Sequence, residues 1–429
     1  MITKHQRIKE TLSYSIEEPY SLEEILFFDI ETTGFSPNTS FLYLIGCMYY
    51  KDNSWQLIQW LSDGIDSEKL IIEAFLSMLQ GYKKIIHYNG TGFDIPYLLS
   101  KLKHYGLINP FLKIESYDIY KKLLPHKKLL ALNSLKLGDI QNYVEFKRKD
   151  TYSGGDLITV YTNFIGRLQY EKLKLKNSSN SVNTIASSNT SSPTAEELSN
   201  ILFLHNAEDI EGLLLVASLL KYVDFIENRP IDKEIQISLM KDNYLKLQSK
   251  LPYYMDKPIN YILPLHIYWN QKNMTINHPY YNLSINVSIS NNRLNLYLPF
   301  IHGELKYFYK DYKDYYYLPA EDIAIHKSVA EYVDKEYRKK AKANTCYNKK
   351  FGFFIPFFQN KTDDTIFKED FSFYINYGDK IMFYPIDLSE ETVTLLESNN
   401  INWYDYMLHL LTIMFQNKSI AINNLKPHI

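Results

Sequence analysis

The chain has 429 residues, 45% of them hydrophobic, and its 47 Lys and Arg against 49 Asp and Glu leave a net charge of -2. Two to three domains with buried cores fit that length, while a polycationic nucleic-acid packing protein is excluded, so any basic surface must be local. Thirty-eight tyrosines against 15 glycines and 16 prolines exclude collagen-like and Gly/Pro-rich disordered chains.

The first 20 residues carry charges where a secretory signal would need an apolar run, and no stretch approaches 18 uninterrupted apolar residues. Cys47 and Cys346 are too few for a disulfide framework or a four-cysteine zinc site. These features lead to the expectation of a cytoplasmic protein with no membrane partner.

Residues 1–21 read as an N-terminal extension. From Ile25 the run ILFFDI has the continuous apolar character of a strand buried on both faces. Strands follow at 41–50 and 55–61, a helix at 68–79, a short strand at 84–88, and a helix from Asp94 to Tyr105 with Pro96 in its first turn. This alternation predicts an α/β layer architecture. The Ser/Asn-rich tract at about 174–194 lacks large apolar residues and reads as a flexible insertion, and 195–223 as one long helix. From 226 to 429 β-type runs (283–289, 294–298, 371–377) alternate with helical stretches at 321–341 and 403–415, predicting a Tyr-rich α+β accessory domain.

Asp29 and Glu31 lie at i and i+2 at the end of the first strand, so their side chains share a face. Two carboxylates about 4 Å apart repel by roughly 4 kcal/mol at an effective dielectric near 20, so a cation is expected between them. Asp94 opens a helix after a strand, and His205 and Asp209 stand four apart on one helix face. Four hard oxygen donors with an imidazole suit two Mg²⁺ or Mn²⁺ ions hydrolysing a phosphodiester.

FDIETTG, HYNGTGFDIPYL and LHNAEDIEGL, in that order, resemble the ribonuclease H-like DEDD 3'→5' exonuclease superfamily, closest to its bacterial YprB-like branch. The resemblance covers about residues 22–223 and implies a mixed central sheet flanked by helices, in a domain expected over 22–225. By motif match it implies metal-binding roles for Asp29, Glu31, Asp94 and Asp209, and a role for His205 in orienting or deprotonating the attacking water. It also implies a place for Asn89 in positioning substrate or its loop. His205 stands four residues before Asp209, and the Asn89–Asp94 interval is one residue longer than in proofreading members; both departures resemble the YprB-like branch.

Thr32, beside the D-x-E, is expected to contact substrate, and Asp118, at a strand-to-helix transition, to support the site from behind. Arg338, Lys339 and Lys340, in the basic run KEYRKKAK, are expected to bind phosphates, with neighbouring tyrosines against bases. The expected partner is DNA or RNA, as a single-stranded end. Two rival readings stay open at this level, a catalytically silent nucleic-acid-binding protein and a structure-selective endonuclease on the same fold.

Overall fold

The computed structural model describes residues 1–178, 193–240, 242–266, 282–358, 372–388, 401–416 and 421–423. By spatial packing the chain divides into Met1–Val223 and Asp224–Ile429.

In the first unit the elements are β1 (Ile2–Ile8), β2 (Ile25–Thr32), β3 (Leu42–Lys51), β4 (Ser54–Leu61), α1 (Ser67–Leu79), β5 (Lys84–His87), α2 (Asp94–Tyr105) and β6 (Glu115–Asp118). The helices α3 (Ile119–Leu123), α4 (Leu137–Tyr143), α5 (Gly154–Ser178) and α6 (Ala195–Val216) follow. A 3-10 turn then leads into α7 (Leu220–Asn228), within which the two units meet in sequence. Among the described residues the sheet runs β1-β4-β3-β2-β5-β6, with β2, β5 and β6 parallel and the other neighbours antiparallel. It is therefore a mixed sheet.

The β3–β4 hairpin is closed by Asp52 and Asn53, both with positive φ (49° and 56°), the two-residue turn that matches strand twist. Residues 2–8, read as part of an extension, form an edge strand instead, paired along β4 from Ile2↔Leu61 to Ile8↔Trp55.

Alternation along β2 sends its side chains to two different faces of the sheet. Leu26, Phe28 and Ile30 pack with Ile71, Ile72 and Phe75 of α1 and with Leu98 and Leu102 of α2. The intervening residues, Asp29 and Glu31 among them, point to the face covered by α6. That helix packs with α5 through Leu198, Leu202 and Phe203 against Leu157, Tyr161 and Phe164. Thr194 caps α6, its hydroxyl accepting from the Glu197 N–H while the Glu197 carboxylate accepts from the Thr194 N–H. Gly106, at φ 68°, ends α2 in the left-handed conformation glycine adopts without strain.

The long helix expected over 195–223 is interrupted by the 3-10 turn at Ala217–Leu219. Of the expected insertion at 174–194, residues up to Ser178 continue α5, while 179–192 lie outside the described residues.

The second unit is dominated by strands: β7 (Gln236–Met240), β8 (Tyr244–His266), β9 (Asn282–Pro299), β10 (Ile301–Phe308), β11 (Tyr315–Leu318) and β12 (Ile323–His326). After the short α8 (Lys327–Ala330) come β13 (Lys339–Lys340), β14 (Tyr347–Phe357), β15 (Met382–Ile386), α9 (Trp403–Gln416) and β16 (Ala421–Asn423). Among the described residues they make three sheets, β16-β8-β7 with β9 on β8, β10-β14-β15, and β12-β11-β13. The runs at 283–289 and 294–298 belong to one strand, β9. In the 371–377 run, Phe371 is outside the described residues and Phe373 and Tyr374 make isolated bridges.

The expected helix at 321–341 is absent from these described residues. In its place stand β12, the single turn α8, and the two-residue β13 on the edge of β11. Arg338, Lys339 and Lys340 thus lie at an edge strand. Lys339 and Lys340 are exposed, whereas Arg338 donates to the Ala330 carbonyl and stacks 4.9 Å over the Tyr316 ring. Tyr309 packs edge-on against Tyr307 and stacks 4.4 Å from Tyr315, while the Tyr317 and Tyr347 hydroxyls both donate to Asp322.

Candidate active site

The site forms where β2 ends. Asp29 pairs in register with Gly46 of β3, and the pairing register shifts between Glu31 and Thr32, where the strand ends. The residue opposite must be glycine because α6 approaches closely there. A Cβ on Gly46 would stand 2.1 Å from Asn206 Oδ1 and 2.5 Å from Ile210 Cδ1. This close approach lets Asn206 Nδ2 donate to Asp29 Oδ2 at 2.9 Å, while Gln59 Nε2 donates to Asn206 Oδ1 at 2.9 Å and fixes the amide's orientation.

Asp94, at the start of α2, accepts from the Ile30 N–H at 3.2 Å, so its carboxylate is tied to the Asp29–Ile30 peptide. From α6, His205 places Nε2 3.7 Å from Glu31 Oε1 and 3.5 Å from Asp209 Oδ2. One potential ligand atom from each of Glu31, His205 and Asp209 lies within 4.8 Å of the others.

The electrostatics reflect uncompensated negative charge. Burial, and then the neighbouring Asp94, Glu31 and Asp209, hold the Asp29 carboxyl well above the usual carboxylate range. Glu31 is raised in the same way, first by burial and then by Asp209 and Asp94, with Arg148 opposing. Asp94 is pushed up to about 7, chiefly by burial, against the hydrogen bond from Ile30. Buried carboxylates that raise one another's proton affinity are a site built for a cation, and an all-oxygen donor set with one imidazole suits a hard divalent ion. The residues present therefore fit the expected metal.

Several contributors carried no sequence signal. The loop joining α4 to α5 brings Arg148 against Asp209, with Nη1 donating also to Gln141 Oε1 at 2.7 Å and Nη2 to Asp150 Oδ2 at 3.2 Å. Asp150 Oδ2 lies 2.7 Å from His205 Nδ1. Glu208, beside Asp209 on α6, is buried and accepts from the Lys149 and Asp150 N–H groups at 2.9 and 3.0 Å. Spacing identifies neither Arg148 nor Asp150, because loops have no periodicity.

The remaining candidates sit around the cluster. The Thr32 hydroxyl donates to the Gly34 carbonyl at 2.9 Å and shapes the turn after Glu31. Asn89 takes a left-handed conformation (φ 60°) in the loop leading to Asp94. Asp118 holds that loop, accepting from the Asn89 and Thr91 N–H groups at 2.9 and 3.2 Å and from the Thr91 hydroxyl, and it also caps α3 through the Lys121 N–H. His87 accepts the Gly90 N–H at Nδ1 (3.1 Å), and burial lowers it to about 4, so it serves as a neutral brace for the same loop. Lys84 is buried against the Glu18 carbonyl and Glu115.

Residues 26–220 match the family model of the RNase_H superfamily. No curated protein matches the chain. Among solved structures, the family B DNA polymerase from the hyperthermophilic archaeon Pyrobaculum calidifontis is similar at 13% identity and a TM-score of 0.34, over 55% of this chain and 34% of the polymerase. A structure described as the apo form of the nuclease is similar at 15% identity and a TM-score of 0.22, over 48% of this chain and 88% of that one. The chain thus spans about a third of the polymerase's length. The mixed sheet flanked by helices, taken with the family match, gives residues 26–220 a ribonuclease H-like fold.

Proposed function

We propose that this protein is a divalent-metal-dependent nuclease that hydrolyses phosphodiester bonds of DNA or RNA, working from a single-stranded 3' end. The observation that carries the reading is the convergence of Asp29 and Glu31 from β2, Asp94 from α2, and His205 and Asp209 from α6 on one buried acidic cluster. Asp29, Glu31, Asp94 and Asp209 would hold two Mg²⁺ or Mn²⁺ ions, which supply activation of water and charge stabilisation at the leaving oxygen.

The chain's own groups do the rest. Asn206 occupies Asp29 Oδ2 and the Ile30 N–H occupies Asp94 Oδ1, so each carboxylate keeps its other oxygen for a ligand. His205, with Nε2 between Glu31 and Asp209, accepts the proton of the attacking water and returns it to solvent. Thr32 and Asn89, on the turns flanking the cluster, orient the nucleotide. A second reading, nucleic-acid binding without turnover, draws on the engagement of Asp209 by Arg148, which neutralises one acid without a metal.

The test is a panel of end-labelled single- and double-stranded DNA and RNA with Mg²⁺ or Mn²⁺. Progressive shortening from the 3' end is expected, with Asp29→Ala and Asp209→Ala each slowing it at least ~10²-fold. Internal cuts alone would make the enzyme an endonuclease. Tight binding with no cleavage of any substrate would establish the binding-only reading.

A further inference from the structure

We propose that Asp150 is the positioning residue of this site. It fixes the ring orientation and tautomer of His205, so that the Nε2 lone pair faces the gap between Glu31 and Asp209. The inference rests on the proton-accepting role given to His205 above.

Asp150 is among the most enclosed acids of the unit, its side chain 2% exposed, so it acts on the reaction through a neighbour. Its Oδ2 lies 2.7 Å from His205 Nδ1 and 3.2 Å from Arg148 Nη2. A guanidinium only donates, so Oδ2 is an acceptor on the Arg148 side, and the matching partner on the other side is an Nδ1–H. With the hydrogen on Nδ1, a neutral imidazole carries its lone pair on Nε2, the nitrogen that faces Glu31 and Asp209.

The loop is built to keep Asp150 against the ring. Residues 148–150 engage His205, Glu208 and Asp209, which stand at i, i+3 and i+4 and so share one face of α6. Arg148 holds Asp209 and Gln141, and the Lys149 and Asp150 N–H groups both donate to Glu208. The backbone beneath Asp150 is thus anchored to the helix that carries its target, and the carboxylate cannot drift from the ring without breaking the clip. A carboxylate serving only to neutralise Arg148 would have no need of the second, shorter approach to Nδ1.

The experiment uses the full chain with ¹⁵N-labelled histidine, free of metal, with His205→Ala identifying the His205 signals. Wild type is expected to show the Nδ1–H tautomer. Asp150→Asn, whose amide oxygen still accepts, should keep it, and Asp150→Ala should lose it. In single-strand cleavage Asp150→Ala should lower kcat about 10- to 100-fold, the usual effect of removing the group that orients a functional histidine. KM and Mn²⁺ affinity, the latter measured by calorimetry, should stay within about threefold, and Asp150→Asn should recover most of the loss.

An unchanged tautomer in Asp150→Ala, or an unchanged kcat where His205→Ala is impaired, would overturn the proposal. If Asp150→Ala does not fold, Asp150→Ser, too short to reach Nδ1, gives the same two readouts. If His205→Ala cleaves like wild type, the role of the histidine fails, while the spectra still decide whether Asp150 sets its ring.

Discussion

At the residue scale the acids of the cluster store a conflict that pH and metal resolve in different ways. Asp94 is held at about 7 in the folded chain against an ordinary 3.8, so the folded state binds its proton more tightly than the unfolded state does. Stability is then greatest below about pH 4 as far as this group is concerned, and it declines as pH rises toward 7. Asp29 and Glu31 are displaced in the same direction. In EDTA the Tm of the protein is therefore expected to be lower at pH 8 than at pH 5, and millimolar Mg²⁺ should raise it at pH 8 far more than at pH 5. Asp94→Asn, which has no proton to lose, should raise the metal-free Tm at pH 8 by several degrees and abolish part of that slope; an unaltered pH profile in this variant would remove Asp94 from the conflict. Strand and helix periods assign shared faces to two pairs, i and i+2 for Asp29 and Glu31 and i and i+4 for His205 and Asp209, while Asp94 stands out only by its place at a helix start after a strand. Arg148, Asp150 and Asn206 were not legible. The first two lie in a loop, and the third is a neutral amide whose partners, Asp29 and Gln59, are distant in sequence.

At the scale of elements the site depends on how closely α6 lies over β2 and β3. Gly46→Ala places a methyl where Asn206 and Ile210 already stand, and Asn206 is pinned at both ends by Asp29 and Gln59, so it cannot turn aside without losing a buried hydrogen bond. The expected cost is roughly 1–3 kcal/mol of stability, as for other overpacked cores. A weaker affinity for Mn²⁺ should accompany it, because Asp29 loses its orienting amide. Denaturant titration and calorimetry measure the two, and a variant with wild-type values in both would show that α6 has room to spare. The helices and strands of this unit were readable because their apolar residues recur at the right periods, as in α2, whose span Asp94–Tyr105 is the one expected. The stretch at 321–341 misled for a physical reason. Its Lys, Arg, Glu and Ala favour a helix locally, but Ile323 and Ile325 alternate with a buried Ala324 and pair antiparallel with Tyr315–Leu318, so tertiary pairing overrides propensity.

At the scale of the whole molecule, a net charge of -2 averages over local clusters of opposite sign. The buried acid cluster lies in the first unit. In the second, Lys335, Lys339, Lys340, Lys342 and Lys350 are exposed, and Tyr332, Tyr337 and Phe351 are 90%, 60% and 62% exposed in the same stretch of sequence. The loss of the expected helix changes which of its residues can serve a substrate. Arg338 is committed to the Ala330 carbonyl and the Tyr316 ring, so Arg338→Ala should act on the stability of this unit, whereas Lys339 and Lys340 have their ammonium groups in solvent. We expect the double charge reversal Lys339→Glu with Lys340→Glu to weaken binding of single-stranded nucleic acid. The salt dependence of log K should flatten by roughly 0.7 for each phosphate that the lysines no longer neutralise, with kcat at saturating substrate preserved because the acid cluster is untouched. Fluorescence anisotropy across a salt series measures the affinity and its slope, and cleavage under saturating substrate measures kcat. An affinity and a salt slope equal to wild type would show that this edge strand takes no part in holding the substrate, and would leave the exposed lysines as solubilising charge.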